Sequence, residues 1–250
     1  MGVRPERVGM NVAVVTVGDE LLAGQTTNTN ATWLCERFDR RGVDVERVTT
    51  VPDRVTDIAR VVNEYRAEYD AVVVTGGVGP THDDVTMDGV AAALGRPLEE
   101  HETALAWLEE EGYSRSDLTA GTADLPAGAR ALHNEVGVAP GAAVEGIYVL
   151  PGVPAEMRAM FESIEEEFSG TETYRKDVVA DEPESALLDR IESLRERFDV
   201  SVGSYPGESV RIEIKGNEEP TVREAADWLR ERVETPEPNP EPPSTTDASN

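Results

Sequence analysis

A chain of 250 residues has room for one large domain, or for one of ordinary size with a small companion, and its pattern favours the second. Fifty acids against 23 bases leave a formal net charge of −27, which repels nucleic acid and anionic membranes and argues against a general DNA-binding role. A single cysteine, Cys35, excludes an intramolecular disulfide and any multi-cysteine metal site, and no apolar run approaches the roughly 18 residues of a membrane span.

Only Lys176 and Lys215 among the bases are lysines, and the acids are spread through the helical stretches rather than gathered in a tail. That pattern is expected of a protein adapted to a high-salt cytoplasm, where screening removes self-repulsion. Residues 1–10 lack the apolar core of a signal peptide, so the expectation is a loose leader on a cytoplasmic protein. In such a chain most carboxylates are solvated, and one counts only when its loop context is special.

Residues 11–17, NVAVVTV, read as a buried strand that ends in Gly18-Asp19-Glu20. The polar run 25–30 precedes helical spacing of Ala31, Trp33, Leu34, Cys35 and Phe38, which stops at Gly42. A strand over 43–51 follows, then a helix opened by Asp53 with Val55, Ile58, Ala59 and Val62 on one face. Val72-Val73-Val74 form the next strand. Strands alternating with helices in this way predict a parallel sheet covered on both faces, with ligands beyond the carboxyl ends of its strands.

That third strand ends at Thr75, and the following loop holds Gly76, Gly77 and Gly79. Pro80 stiffens it, Thr81 is placed to cap a helix, and Asp83, Asp84 and Thr86 fall in or beside its first turn. Glycines let a phosphate approach backbone N–H groups, and a helix N-terminus favours an anion. Ordinary helix capping needs one acid, whereas this loop carries two adjacent acids, two threonines and three glycines. It is neither GxGxxG nor the lysine-bearing phosphate loop.

After a helix around 85–94, a second helical stretch spans 99–112, and short strands are predicted at 127–132, 143–144 and 146–150. Pro151-Gly152-Val153-Pro154 leads into a helix over 155–168 with Met157, Met160, Phe161 and Ile164 inward. The domain should close near residue 170. Residues 171–234 then read as a small βαββα module, and the proline-rich tail 235–250 as disordered. His101 and His133 are expected to be solvated, and His82 neighbours the acids without an identifiable partner.

Four stretches now carry a resemblance: Gly18 to Gln25 with Asn28-Thr29-Asn30, Thr75 to Thr86, Asn134 to Gly141, and Leu150 to Met157. They are similar, in order and spacing over about residues 11–235, to the amino-terminal half of the CinA family, within the MoaB/MogA molybdopterin-binding superfamily. The resemblance implies a three-layer αβα domain with a mostly parallel sheet, followed by a KH-like α/β module. A carboxy-terminal amidase domain of longer CinA proteins has no counterpart, so that activity is not expected. The chain also departs at Gly121-Thr122-Ala123, where the family commonly has a longer side chain, so one wall of the cleft should differ.

The resemblance further implies a nucleotide or molybdopterin ligand, a homo-oligomer, and two candidate reactions on an adenylated diphosphate. One is metal-dependent cleavage of ADP-ribose, the other adenylyl transfer to molybdopterin; a non-catalytic binder is the third reading. Asp84, with Asp83 or Glu20, is expected to hold Mg²⁺ or another divalent cation, with K⁺ as a candidate second ion. Gly18, Asp19, Gly76, Gly77, Gly79, Thr81, Thr86, Gly141, Pro151 and Gly152 are the expected phosphate and ligand contacts. Asn30 and Asn134 are expected to read base, ribose or pterin.

Overall fold

The computed structural model describes residues 9–79, 81, 83–113 and 121–234. The expectations for the leader up to residue 8, Pro80, His82 and the tail from 235 lie outside the described residues. Two compact units divide between Thr171 and Glu172.

In the first unit the order is β1 (Asn11–Val17), α1 (Asp19–Leu22), α2 (Thr29–Arg40), β2 (Asp44–Val51), α3 (Val55–Tyr65), β3 (Ala71–Thr75), α4 (Thr86–Leu94), β4 (Leu98–Glu100), α5 (Glu102–Glu110), β5 (Asp124–Pro126), β6 (Arg130–Leu132), β7 (Gly141–Val144), β8 (Ile147–Leu150) and α6 (Pro154–Ile164). A six-stranded sheet runs β2-β1-β3-β8-β7-β6. Its first four strands are mutually parallel, and β7 and β6 add antiparallel.

The period-two alternation of β1 and β3 divides the core into two layers. Val12, Val14, Ala71 and Val73 pack with Leu34, Phe38, Met157, Met160 and Phe161 of α2 and α6. Val15, Val17, Val72 and Val74 pack with Ile58, Val61, Val62 and Val90 of α3 and α4. Helices therefore cover both faces, as predicted. Phe161 lies edge-on to Phe38, ring centroids 5.2 Å apart, a favoured aromatic arrangement.

The order β2-β1-β3 means that the chain leaves β1 in one direction and returns to its other side, so β1 and β3 flank a topological switch point. Thr16 pairs with Thr75 across it, which brings the loops beginning at Gly18 and Gly76 together at the carboxyl edge.

Two predicted boundaries are corrected. The stretch read as a helix over 99–112 begins as β4, which pairs with β5; three-residue strands are too short to show a period. Neither Thr81 nor Asp53 caps a helix: α4 starts behind Val85 and α3 behind Arg54 without a side-chain cap. His101, by contrast, caps α5 by accepting from the Ala104 N–H at Nδ1. His133 meets Glu111 at 3.0 Å, and Cys35 is half-buried.

The second unit runs β9 (Tyr174–Ala180), α7 (Glu184–Arg197), β10 (Ser201–Tyr205), β11 (Val210–Gly216) and α8 (Glu219–Arg230). Its antiparallel sheet β10-β11-β9 buries Val178, Val202, Ile212 and Ile214 against Leu187, Leu194, Ala226 and Leu229. The opposite face carries Arg211 over Tyr205, 4.3 Å from the ring centroid.

Candidate functional site

The rim is built first by backbone that only glycine can adopt. Gly76 has φ +103, and a Cβ there would lie 2.2 Å from the Val17 carbonyl oxygen; Gly77 follows at φ +62. Their sharp turn lets the end of β3 pass beside the end of β1. Thr86 locks it from beneath: its fully buried hydroxyl donates to the Gly76 carbonyl at 2.7 Å, and its N–H donates to Gly77 O at 2.9 Å.

A third loop completes the rim. Gly152, just beyond β8, approaches so closely that a Cβ on it would lie 3.2 Å from the Gly76 Cα. Thr75 donates to the Pro151 carbonyl at 2.7 Å, and the Asn30 amide nitrogen donates to Gly152 O at 2.8 Å and to the Thr75 hydroxyl at 3.3 Å. Because those acceptors fix the orientation of the Asn30 amide, its Oδ1 is left as a buried acceptor with no partner. A buried unpartnered acceptor is costly, and a donor from water or from a ligand would satisfy it.

Three cavities meet here. One of about 240 Å³ is lined by Gly18, Glu20, Asn30, Asp53, Gly76, Gly77, Asp83, Asp84 and Gly152, with Thr16, Asn28 and Thr75 at its floor. A second, about 260 Å³, adds Gly79, Thr81, Asp88, Gly121 and Thr122. The largest, about 590 Å³, is walled by Val78, Tyr113, Val138, Ala139, Pro151, Val153 and Glu156. Gly77 and Asp84 line all three. Thr122 lines the second and third, so the departure at 121–123 falls on a cavity wall.

Asp84 is held by its own loop: Oδ2 accepts from the Thr81 N–H at 3.0 Å and from the Thr81 hydroxyl. A Cβ on Gly79 would lie 2.6 Å from that oxygen, so the glycine makes room for the carboxylate. Asp83 and Glu20 share the smallest cavity with it. Among the described residues, no three His, Cys, Asp or Glu side chains converge closely enough to hold a metal ion.

Asp53 is the acid that sequence reasoning missed. It takes the Asp19 N–H at 2.8 Å on Oδ2 and thereby ties the loop after β2 to the loop after β1. Burial raises its carboxyl above the ordinary value; the Asp19 N–H pulls it down, and the charges of Asp19, Glu20 and Asp83 push it up. The missed signal was positional: Asp53 follows the carboxyl end of a parallel strand, as Gly18 and Gly76 do.

Four predicted contacts have other tasks. Thr86 is spent on the glycine turn, and Asp19 contributes its N–H to Asp53 and is not among the described residues that line these three cavities. Asn134, 3% exposed, donates to Ala139 O and Glu156 Oε2 and accepts from the N–H groups of Val136 and Gly137, so its hydrogen-bonding capacity is used within its loop and in tying that loop to α6. Gly141 is a packing glycine: a Cβ there would lie 2.3 Å from the Met160 sulfur.

A family profile described as "probable molybdopterin binding domain" matches residues 13–170. A protein of Archaeoglobus fulgidus is 36% identical over 224 residues, covering 89% of this chain and 97% of that protein. A CinA-like protein of Anaeromyxobacter is 42% identical over 159 residues, 60% of this chain and 39% of its own length. Among solved structures, a Thermoplasma acidophilum protein, described as CinA with unknown function, is 38% identical with a TM-score of 0.60, over 63% of this chain and 97% of that one.

Proposed function

The chain belongs to the probable molybdopterin-binding domain family as a CinA-like MoaB/Mog protein, and on that premise we propose that its rim binds a nucleotide-type diphosphate and cleaves it, ADP-ribose being the substrate class. The observation that carries the reading is the convergence of three cavities on Gly77 and Asp84. A diphosphate lying on the glycine loop would have carboxylates on one side and a more apolar cavity on the other.

The donors suit a hard cation. Mg²⁺ is commonly held by one or two carboxylates, with phosphate and water completing its shell, so it does not need the three-acid cluster that the described residues lack. Asp84, with Asp83 or Glu20, would hold it; when bound, it supplies neutralisation of phosphate charge. K⁺ is a candidate second ion at the same oxygens.

In the proposed cleavage, water adds to one phosphorus in line with the bridging oxygen, the bond to that bridge breaks, and ADP-ribose yields AMP and ribose 5-phosphate. Asp53 is the carboxylate suited to take the proton of water, because burial and three acidic neighbours raise its proton affinity. Gly76 and Gly77 admit the phosphate to the backbone, and the unpartnered Asn30 Oδ1 accepts from a ligand hydroxyl or amine. Adenylyl transfer to molybdopterin is the second reading. It is favoured by the cavity of about 590 Å³ sharing Gly77, Asp84 and Gly152 with the acid-lined one, which leaves room for a ring at each end of a diphosphate.

The test is product analysis with ADP-ribose, and with molybdopterin plus ATP, at high KCl with Mg²⁺. Release of AMP and ribose 5-phosphate supports hydrolysis, adenylated molybdopterin supports transfer, and binding without either product refutes both.

A further inference from the structure

The sheet of the second unit has one face against α7 and α8 and another made largely of charge. Strand alternation sends residues 175, 177 and 179 of β9, 211, 213 and 215 of β11, and 201, 203 and 205 of β10 to the side away from the helices. The register aligns them in three rows across the strands: Tyr205-Arg211-Val179, then Gly203-Glu213-Asp177, then Ser201-Lys215-Arg175. The middle row is acidic and the last is basic. Tyr205, Arg211, Val179, Asp177 and Arg175 are exposed.

Paired charges on an open sheet are ordinarily a solvated surface, and Arg175–Glu213 at 3.1 Å and Arg211–Asp177 at 3.5 Å are pairs of that kind. Two features go further. Three cations stand here against two acids in a chain of net charge −27, so two copies can meet on this patch without the repulsion that the chain as a whole carries. The rows are also complementary to themselves. A two-fold axis lying in the face, parallel to the rows and between the acidic and the basic one, sets Glu213 against Lys215 of a second copy and Asp177 against its Arg175, and the same pairs in reverse. We infer that this face is a contact between two copies of the chain, packed sheet on sheet with acidic row over basic row. Salt screens the long-range repulsion between copies but screens partly buried pairs much less, so the match persists in concentrated KCl. With strands about 4.8 Å apart and about 3.4 Å per residue, the face measures roughly 15 by 20 Å, less than a standard interface, and the association is weak. It is therefore distinct from any assembly already complete at micromolar concentration, and it is independent of the rim chemistry.

Sedimentation velocity of the full chain at high KCl, from micromolar to submillimolar concentration, tests this with two double variants. The sedimenting mass of the parent should double over that range. Asp177→Lys with Glu213→Lys makes both rows basic, and Arg175→Glu with Lys215→Glu makes both acidic. Each alone should self-associate at least about tenfold more weakly, since every facing pair becomes a pair of like charges. An equimolar mixture of the two should regain the doubling, because basic rows then meet acidic rows, and should associate more than either variant mixed with parent. Constant mass in the parent, doubling that persists in both double variants, or a mixture no more associated than its components or than either with parent would overturn the assignment. Circular dichroism checks that the variants are folded. Should a double variant be unfolded, Glu213→Gln and Lys215→Gln each remove one central charge and should each weaken self-association of the parent; unchanged association in both would overturn it equally.

Discussion

Replacing Thr86 with Val separates a residue that shapes the site from one that touches the ligand. The side chain is fully buried and its hydroxyl is the donor to the buried Gly76 carbonyl at 2.7 Å. Valine has nearly the same volume, so the main change is a carbonyl left without its partner, a cost of about 1–3 kcal/mol. For a unit of this size each kcal/mol lowers Tm by roughly 2–4 °C, giving an expected fall of about 2–12 °C. Thr86→Ser keeps the hydroxyl and loses a methyl, so it should restore the glycine turn while costing roughly 1 kcal/mol in packing. Thermal unfolding of all three proteins at high KCl, with ADP-ribose titrated into each, gives both readouts. Thr86→Val should lose stability and affinity together, and Thr86→Ser should keep affinity. An unchanged midpoint with abolished binding would show that the hydroxyl contacts phosphate and would refute its assignment to the turn.

Other expectations concern charge, backbone and assembly. Asp53 has a raised carboxyl, so the stability it contributes is complete below the ordinary value of 3.8 and is lost as pH rises through its folded value; Asp53→Asn should therefore raise the midpoint at neutral pH, with the gain vanishing below pH 3.8. Denaturant titration at both pH values checks this, and a variant less stable at pH 7 counts against it. If the −27 charge reflects salt adaptation, the unfolding midpoint should climb between ~0.1 M and multimolar KCl, and equal midpoints would remove that explanation. Gly76→Ala should fail to fold or lose several kcal/mol, because its Cβ would meet a backbone oxygen at a φ of +103; soluble protein of parent stability would contradict the turn geometry. A homo-oligomer is proposed from the family resemblance, and sedimentation giving a 27.1 kDa species at micromolar concentration would exclude it.

The fold was legible because its signals are periodic. The valine runs of β1 and β3 and the apolar faces of α2, α3 and α6 each repeat, and a parallel sheet with alternating helices delivers their ends to one edge. Gly76 and Gly77 were legible for a different reason: a side chain is strained at their positive φ. What sequence could not show is the direction a polar side chain takes. Thr86 and Asn134 have the chemistry of ligand contacts but turn inward, where they satisfy backbone groups of the loops that form the cavities. Asp53 has the chemistry of a helix cap but reaches back to the Asp19 N–H. Short strands such as β4 and β5 have no period to detect, and their pairing is fixed by tertiary contact alone.

The most direct test is the cleavage of ADP-ribose by parent and Asp84→Asn proteins, with and without Mg²⁺ at high KCl. Asparagine keeps an acceptor for the two Thr81 donors, so folding should be affected by roughly 1 kcal/mol or less. A carboxylate that holds the cation beside the diphosphate contributes far more to the transition state, and the variant should lose about 100-fold or more in kcat/KM. AMP and ribose 5-phosphate should appear with the parent only when Mg²⁺ is present. An Asp84→Asn protein that forms both at the parent rate would contradict the assignment of the rim as a cation-assisted diphosphate site.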